Sequence, residues 1–419
     1  MAREYLITDF NATEGGSALC TAAIQDTIDA ASGNGGGVVI IPEGTFLSGA
    51  VFLKDKVSLR IDGTLLGSDD VSQYPMGHTR FEGHDEIWPS ALINGAWLDG
   101  IHIYGKGTVN GNGIPYYRKF WDAREEAIRK GLPFVNKDVP RPRLFYLSGC
   151  RHLCIEEISC VNSGFWNLHL FDCCDVLVSH VSVTSPYSGL VRAASTDGID
   201  IDACERVVVT DCSFAVDDDC ICLKGGKGPE AHRQNRVTKN ILIEHCRIGF
   251  GHGAVTFGSE ANNVENVLVR DLEIAGENQL VRFKFRPDTV QHFSNIVFED
   301  IHMVSGVVFA IRPWISRQDE ILGDALPTEI RNLTVRSVMA EDVLSPGCIL
   351  ASPPSSVITG LRLEDISITT AKEPHGLSRH DSYEKEAGTD SKTLLSSGVS
   401  DCSLKNVIVD GKPVVKLGE

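Results

Sequence analysis

STDGIDIDACERVVVTDCSFAVDDDCICLKGG, residues Ser195 to Gly226, carries two clusters of aspartates among β-branched residues and cysteines. The first holds Asp197, Asp200 and Asp202, and the second holds Asp217, Asp218 and Asp219. Asp197 and Asp218 lie 21 residues apart, close to one turn of a β-solenoid, where residues one coil apart stack at about 4.8 Å. Two carboxylates on neighbouring coils would then face one groove, an arrangement suited to acid/base chemistry.

Working outward, the rest of the chain supports a solenoid. From Val38 on, short β-rich segments (VVIIPEGTF, AVFLKDKVSLRI, GTLLGS, IHIYGKGTVNGNG) alternate with Gly, Asn and Asp turns too frequent for long helices. Segments of the form apolar-x-apolar-x-x-apolar start near Leu153, Val176, Val207, Ile241, Val267, Ile296, Leu333 and Leu361, spaced by 23 to 37 residues. Asn240, Asn266, Asn295 and Asn332 each precede such a segment. An Asn at one corner of every coil tolerates a left-handed turn and can hydrogen-bond along the stack. The pattern predicts an all-β chain folded as a parallel β-helix, one catalytic domain over residues 1–419.

Two helical pieces decorate it. Cys20 to Ser32 has Ile24, Ile28 and Ala31 on one face, with Gly33 as the stop. The following Gly35-Gly36-Gly37 comes after a helix and before a strand, the reverse of the order a dinucleotide site needs, and reads as a tight turn. An insertion at 115–143 holds YYRKFWDAREEAIRKG, a predicted helix, and the segment VPRPR. It reads equally as a loop on the binding face and as a shield for a coil edge. Glu373 to Ser397 is polar and reads as a surface excursion before last strands that end at Val409.

The 419 residues carry a formal net charge of −17. That argues against nucleic acid or an anionic membrane as a partner, while leaving room for an acidic ligand in a locally basic groove. Met1 to Phe10 lacks the apolar run of a signal peptide, and no stretch reaches transmembrane length. The 13 cysteines lack paired CxxC spacing. Cys204, Cys212, Cys220, Cys222 and Cys246 fall inside strand-like segments and read as small buried residues of a reducing compartment. A cytoplasmic location is expected; the sequence leaves the oligomeric state open.

Two further elements follow the aspartates. Gly251-His252-Gly253 exposes an imidazole between residues that let a ligand approach the backbone. In Val281-Arg282-Phe283-Lys284-Phe285-Arg286, alternation puts three cations on one side and the aromatics on the other. Those cations need an anion: the aspartate cluster, a ligand carboxylate, or both. Paired carboxylates, a histidine and cations are the equipment of a glycosidase acting on an acidic sugar.

The ordered series Thr196-Asp197, Asp218-Asp219, Gly251-His252-Gly253 and Arg282-Phe283-Lys284 resembles the motifs of the polygalacturonases, glycoside hydrolase family 28. GGGVVIIPEGTFLSG, the RFEG segment at Arg80 to Gly83 and GKGTVNGNG extend the resemblance along most of the chain. It implies a right-handed parallel β-helix that hydrolyses pectic poly- or oligosaccharides with inversion and without a metal or other cofactor. It also implies Asp218 as general acid, Asp197 and Asp219 as holders of the water, and His252 as a tuner of the acid. Arg282 and Lys284 would grip a galacturonate carboxylate.

The chain departs from the family pattern at three places. Ser195 stands where Asn is usual, RFKFRP lacks a glycine-rich continuation, and Trp314 stands near where a Tyr is common. All three bear on which sugar is bound.

Competing readings accompany several of these residues. Asp200 and Asp202 alternate with isoleucines and read as solvated or structural, and Asp217 as facing a turn. The aspartates lack the spacing and terminal Glu of a calcium loop. Arg286 is a substrate-binding candidate whose alternative is a surface ion pair. Trp314 and His169 are candidates for sugar subsites, with packing as the rival for His169 and its neighbour Trp166 in GFWNLHL. Tyr116, Tyr117 and Trp121 lean towards packing. The functional alternatives are a polysaccharide lyase or sugar epimerase on the same solenoid, and a non-catalytic carbohydrate-binding β-helix. Exo-action on short oligosaccharides is a further expectation.

Overall fold

The regular corners of this chain are set by residues in the left-handed region. In the computed structural model, which describes residues 3–185, 191–314, 325–352, 354–372 and 391–417, Asn240, Asn266, Asn295 and Asn332 have φ between 55° and 59°. Asn266 Nδ2 donates to Asn240 Oδ1 at 3.1 Å, Asn295 to Asn266 at 3.1 Å, and Asn332 to Asn295 at 3.0 Å. The expected asparagine ladder is present. Each amide both relieves its own corner and ties it to the previous coil.

The chain forms two compact units, Met1–Phe81 with Asp85–Asp218 and Glu82–His84 with Asp219–Glu419. In the first, parallel strands stack in three rows. One row ends in Arg151–Glu156, Cys174–Ser179 and Glu205–Thr210, with Leu153, Val176 and Val207 in register as their spacing predicts. A second row ends in Ser182–Thr184 and Ser213–Ala215. The third contains Val51–Phe52, Ile93–Ala96, Phe145–Ser148, Leu168–Phe171 and Ile199–Asp202. Alternate residues of these strands point inward and are buried, which is the physical basis of the apolar repeat.

In the second unit, one row is built of long strands: Thr238–Ile248, Asn263–Ile274, Gln291–Val304, Thr328–Val343, Ser356–Thr370 and Val399–Val409. The other row is Ile221–Lys224, Val255–Phe257, Gln279–Phe285, Val307–Pro313, Ser345–Leu350 and Leu395–Ser397. Phe257 and Phe283 stack one coil apart, with ring centroids 4.1 Å apart, so the aromatic side of RFKF faces the core as its alternation predicts.

Both predicted helices form, over Thr21–Gly33 and Ile114–Lys130. The second ends at Gly131, whose φ of 65° lets its N–H reach the carbonyls of Ala127 and Ile128. Tyr116 and Tyr117 are buried, donating to the carbonyls of Ser68 (2.9 Å) and Ser163 (2.6 Å). Most of the polar excursion from Glu373 lies outside the described residues. None of the 13 cysteines forms a disulfide, and the five named from the sequence are buried. Among the described residues, no helix is long and apolar enough to cross a membrane.

Candidate active site

In the first unit, Asp197 occupies the corner that leads into strand Ile199–Asp202. Its backbone is pinned from the previous coil: Asn167 Nδ2 donates to the carbonyls of Thr196 (3.2 Å) and Asp197 (3.0 Å), and Asn167 N–H also donates to Asp197 O at 2.9 Å. The next corner is tied back by Asp217 N–H donating to Thr196 Oγ1 at 3.3 Å. These bonds bring carboxylate oxygens of Asp197 and Asp218 within 4.8 Å of one another. That nearest-atom gap is shorter than the spacing of about 6.5–9.5 Å common in inverting glycosidases. Asp197 is buried and Asp218 half-buried.

The insertion packs on the segment that enters this corner. Trp121 Nε1 donates to Arg192 O at 2.7 Å, Arg141 Nη1 to Ala194 O at 2.6 Å, and Ser195 Oγ to Asn136 Oδ1 at 3.2 Å. Ser195 has φ of 54°, a conformation that Asn tolerates better than Ser. The insertion therefore belongs to the face that carries Asp197.

In the second unit, Asp219 is almost fully buried and receives Arg282 Nη1 on Oδ1 and Lys284 Nζ, at 2.7 Å, on Oδ2. Cys220 N–H donates to Gly253 O at 2.8 Å, so the His252 corner sits one coil beyond Asp219. A Cβ on Gly253 would lie 2.9 Å from both Asp219 Oδ1 and Arg282 Cδ. This glycine makes room for the ion pair, a requirement invisible in the motif alone. His252 itself is half-buried.

Arg282 and Lys284 meet Asp219, one of the anions their alternation called for. Other sequence expectations change. Arg286 is 2% exposed, so it is no surface pair, and Asp288 takes its guanidinium at 2.6 and 2.7 Å. His169 is fully buried and therefore is not placed to touch a sugar. Its Nδ1 accepts from Arg143 at 2.6 Å and its Nε2 lies 3.5 Å from Asp202. Asp200 and Asp202 are fully buried, so neither is solvated. Burial pushes the Asp202 carboxyl up, but the charge of Arg80 and the hydrogen bond from His169 outweigh it and hold the group below its ordinary value. Burial also pulls Arg143 down to about 10. Trp166 joins Phe81, Trp88 and Phe165 in a buried cluster. Trp314 is half-buried, with Lys284 Nζ 5.4 Å and Arg286 Cζ 5.7 Å from its ring centroid.

The sequence reading missed three supports. Asn167 follows two buried aromatics and gave no motif signal. Arg80 reaches Asp202 at 3.2 Å from the strand Met76–Phe81; the RFEG segment was the available clue. Lys224 donates to Glu260 at 2.9 Å in a buried pair, and its place two residues beyond Cys222 on an outward-facing register was the signal. The Asp197–Asp218 pair could hold a cation, as could half-buried His102, Cys154 and Glu156, whose ligand atoms lie within 4.8 Å of one another. In the latter, His102 Nε2 already meets Glu156 at 2.9 Å.

Comparison with known proteins places this geometry. The family model of glycosyl hydrolases family 28 matches residues 39–379. An exo-poly-alpha-D-galacturonosidase of Dickeya chrysanthemi is 25% identical, over 97% of this chain and 74% of its own length. A probable polygalacturonase of Vitis vinifera is 25% identical, over 87% and 74%. Among solved structures, the exopolygalacturonase of Thermotoga maritima superposes with a TM-score of 0.77 at 23% identity, covering 98% of this chain and 93% of that one. This fold is the right-handed parallel β-helix. With its family match extending over most of its length, the chain belongs to the glycosyl hydrolases family 28.

Proposed function

We propose that this glycosidase hydrolyses α-linked galacturonic acid bonds in pectic poly- or oligosaccharides. The observation that carries the reading is the buried Asp219 clasped by Arg282 and Lys284, one residue from Asp218. The two cations fix the Asp219 carboxylate in place beside Asp218, where its oxygens can accept hydrogen bonds from a water. Asp218 faces the neighbouring carboxylate of Asp197, and crowding of like charges raises the proton affinity of one member, as a general acid requires. In the proposed reaction Asp218 gives its proton to the glycosidic oxygen as that bond to the anomeric carbon breaks. A water held by Asp197 and Asp219 bonds to the same carbon and yields its proton to one of them. His252 orients the acid, and the cations of the Arg282 strand attract the uronate.

Single displacement rests on there being three carboxylates, two for the water and one for the leaving group. The short Asp197–Asp218 gap does not by itself favour it, so the anomer of the first product decides. The names of the Dickeya chrysanthemi and Thermotoga maritima proteins, and an insertion fastened beside Asp197, favour exo-action. Thirteen cysteines with no disulfide among them favour a reducing compartment, which cell fractionation can check. One experiment tests the central reading. Digestion of a long oligogalacturonide followed by NMR should show mono- or disaccharide released from the outset with inverted configuration. Unsaturated ultraviolet-absorbing products would mean a lyase, mid-length fragments first would refute exo-action, and no turnover would refute the assignment.

A further inference from the structure

Away from the aspartate corners, one group of three possible metal ligands stands together among the described residues. His102, Cys154 and Glu156 are half-buried, with their ligand atoms within 4.8 Å of one another. Strand register brings them together. His102–Tyr104 pairs in parallel with Arg151–Glu156, which sets His102 beside Cys154 and Tyr104 beside Glu156. Ile103 and Ile155 are buried, so by alternation His102, Cys154 and Glu156 share the outward side.

The surroundings orient each ligand. Ser179, on the next coil, donates its hydroxyl to Glu156 Oε1 at 3.0 Å, while Glu156 Oε2 meets His102 Nε2 at 2.9 Å. The imidazole stacks on Tyr104, with ring centroids 4.2 Å apart. The Cys154 thiol hydrogen-bonds to the Glu156 carboxylate, and burial together with this neighbour pushes the thiol up to about 12. His302 makes a useful contrast: Glu273 and Glu341 each lie 3.0 Å from its ring, an all-carboxylate setting that suits an ion pair. Exchanging one carboxylate for a thiol gives the nitrogen, sulfur and oxygen set that zinc takes.

We propose that His102 Nε2, Cys154 Sγ and Glu156 Oε2 bind one zinc ion, with water in the fourth place. The thiol proton leaves to solvent as the sulfur–zinc bond forms. Bonds of about 2.0–2.3 Å set tetrahedral ligands roughly 3.3–3.8 Å apart, so the His102–Glu156 contact opens slightly to admit the ion. Ser179 holds the carboxylate from behind, as a hydrogen bond to a metal ligand does. The two strands are neighbouring coils separated in sequence by the insertion at 115–143, so the ion clips shut the loop that carries it. The site is structural. It lies on a different row from Asp200 and takes no part in the proposed hydrolysis.

The test starts from full-length protein treated with chelator and reductant, freed of both, and titrated with zinc alone or cobalt(II) alone. Zinc should raise the melting temperature increasingly with its concentration, and cobalt(II) should give the charge-transfer absorption of a metal-bound thiolate. C154S should lose both responses while melting like wild type without metal. S179A, which replaces no ligand, should weaken zinc binding roughly ten- to hundredfold, and H102Q should weaken it further. A wild-type protein without the cobalt absorption overturns the site. So does an absorption that survives in C154S, because the metal then sits on another cysteine. If C154S does not fold, H102Q decides, and a zinc response equal to wild type there overturns the site. Hydrolysis is not the readout, so failure of the galacturonide reading leaves this inference standing.

Discussion

Asp218 and Asp219 are neighbours in sequence with different surroundings, and substitution should separate them. D218N removes the proposed proton donor and should lower kcat by about 10²–10⁴-fold with the melting temperature nearly unchanged. D219N leaves Arg282 and Lys284 without their buried partner, a loss of about 3–5 kcal/mol of stability, so it should lose both activity and several degrees of melting temperature. Equal melting of the two variants would contradict the ion-pair geometry. Glu260 gives a second residue-scale prediction. Burial pushes its carboxyl up, but the charges of Lys224 and Lys227 outweigh this and hold it well below the ordinary 4.5. A carboxyl depressed in the folded state stabilises fully above its unfolded pKa, and that stability is lost as pH falls through the folded value. E260Q should therefore melt well below wild type at pH 7, with the difference shrinking below about pH 4. A constant difference across pH would show that Glu260 acts only through packing.

At the scale of the element, the asparagine ladder separates conformation from hydrogen bonding. N295A loses both neighbours' amide bonds and places alanine at φ of 55°, at a cost of about 2–3 kcal/mol. N295G keeps the conformation and loses only the bonds, so denaturant unfolding should find it about 1 kcal/mol more stable than N295A. This ladder was readable in the sequence because its cause is local: a corner conformation that few residues tolerate, repeated once per coil. The fate of the outward-facing residues was not. In LHLF, alternation puts His169 outward, but Arg80 and Thr79 from a strand nearly ninety residues earlier cover that face through Arg143. Likewise every residue of Gln279–Phe285 is buried, and the partner of Arg282 lies 63 residues away. Periodicity reports which side a residue takes; what lies on that side is a tertiary fact.

For the whole molecule, a net charge of −17 must coexist with a proposed polyanionic substrate. Long-range repulsion and the local attraction of the cations of the Arg282 strand act over different distances, so salt should separate them. At about 0.01 M ionic strength the screening length is roughly 30 Å and an approaching chain feels the whole acidic molecule. At about 0.15 M it is roughly 8 Å, leaving the nearby cations to dominate, and at about 1 M, near 3 Å, even these fade. The value of kcat/KM for polygalacturonate should therefore rise and then fall with added sodium chloride. The rise should be smaller for trigalacturonate, because a long polyanion meets more of the acidic surface. Initial rates across that range on both substrates provide the measurement. A monotonic fall from the lowest salt would mean that the local cations already govern approach at long range. Identical curves for the two lengths would mean that the acidic surface plays no part in selecting short chains.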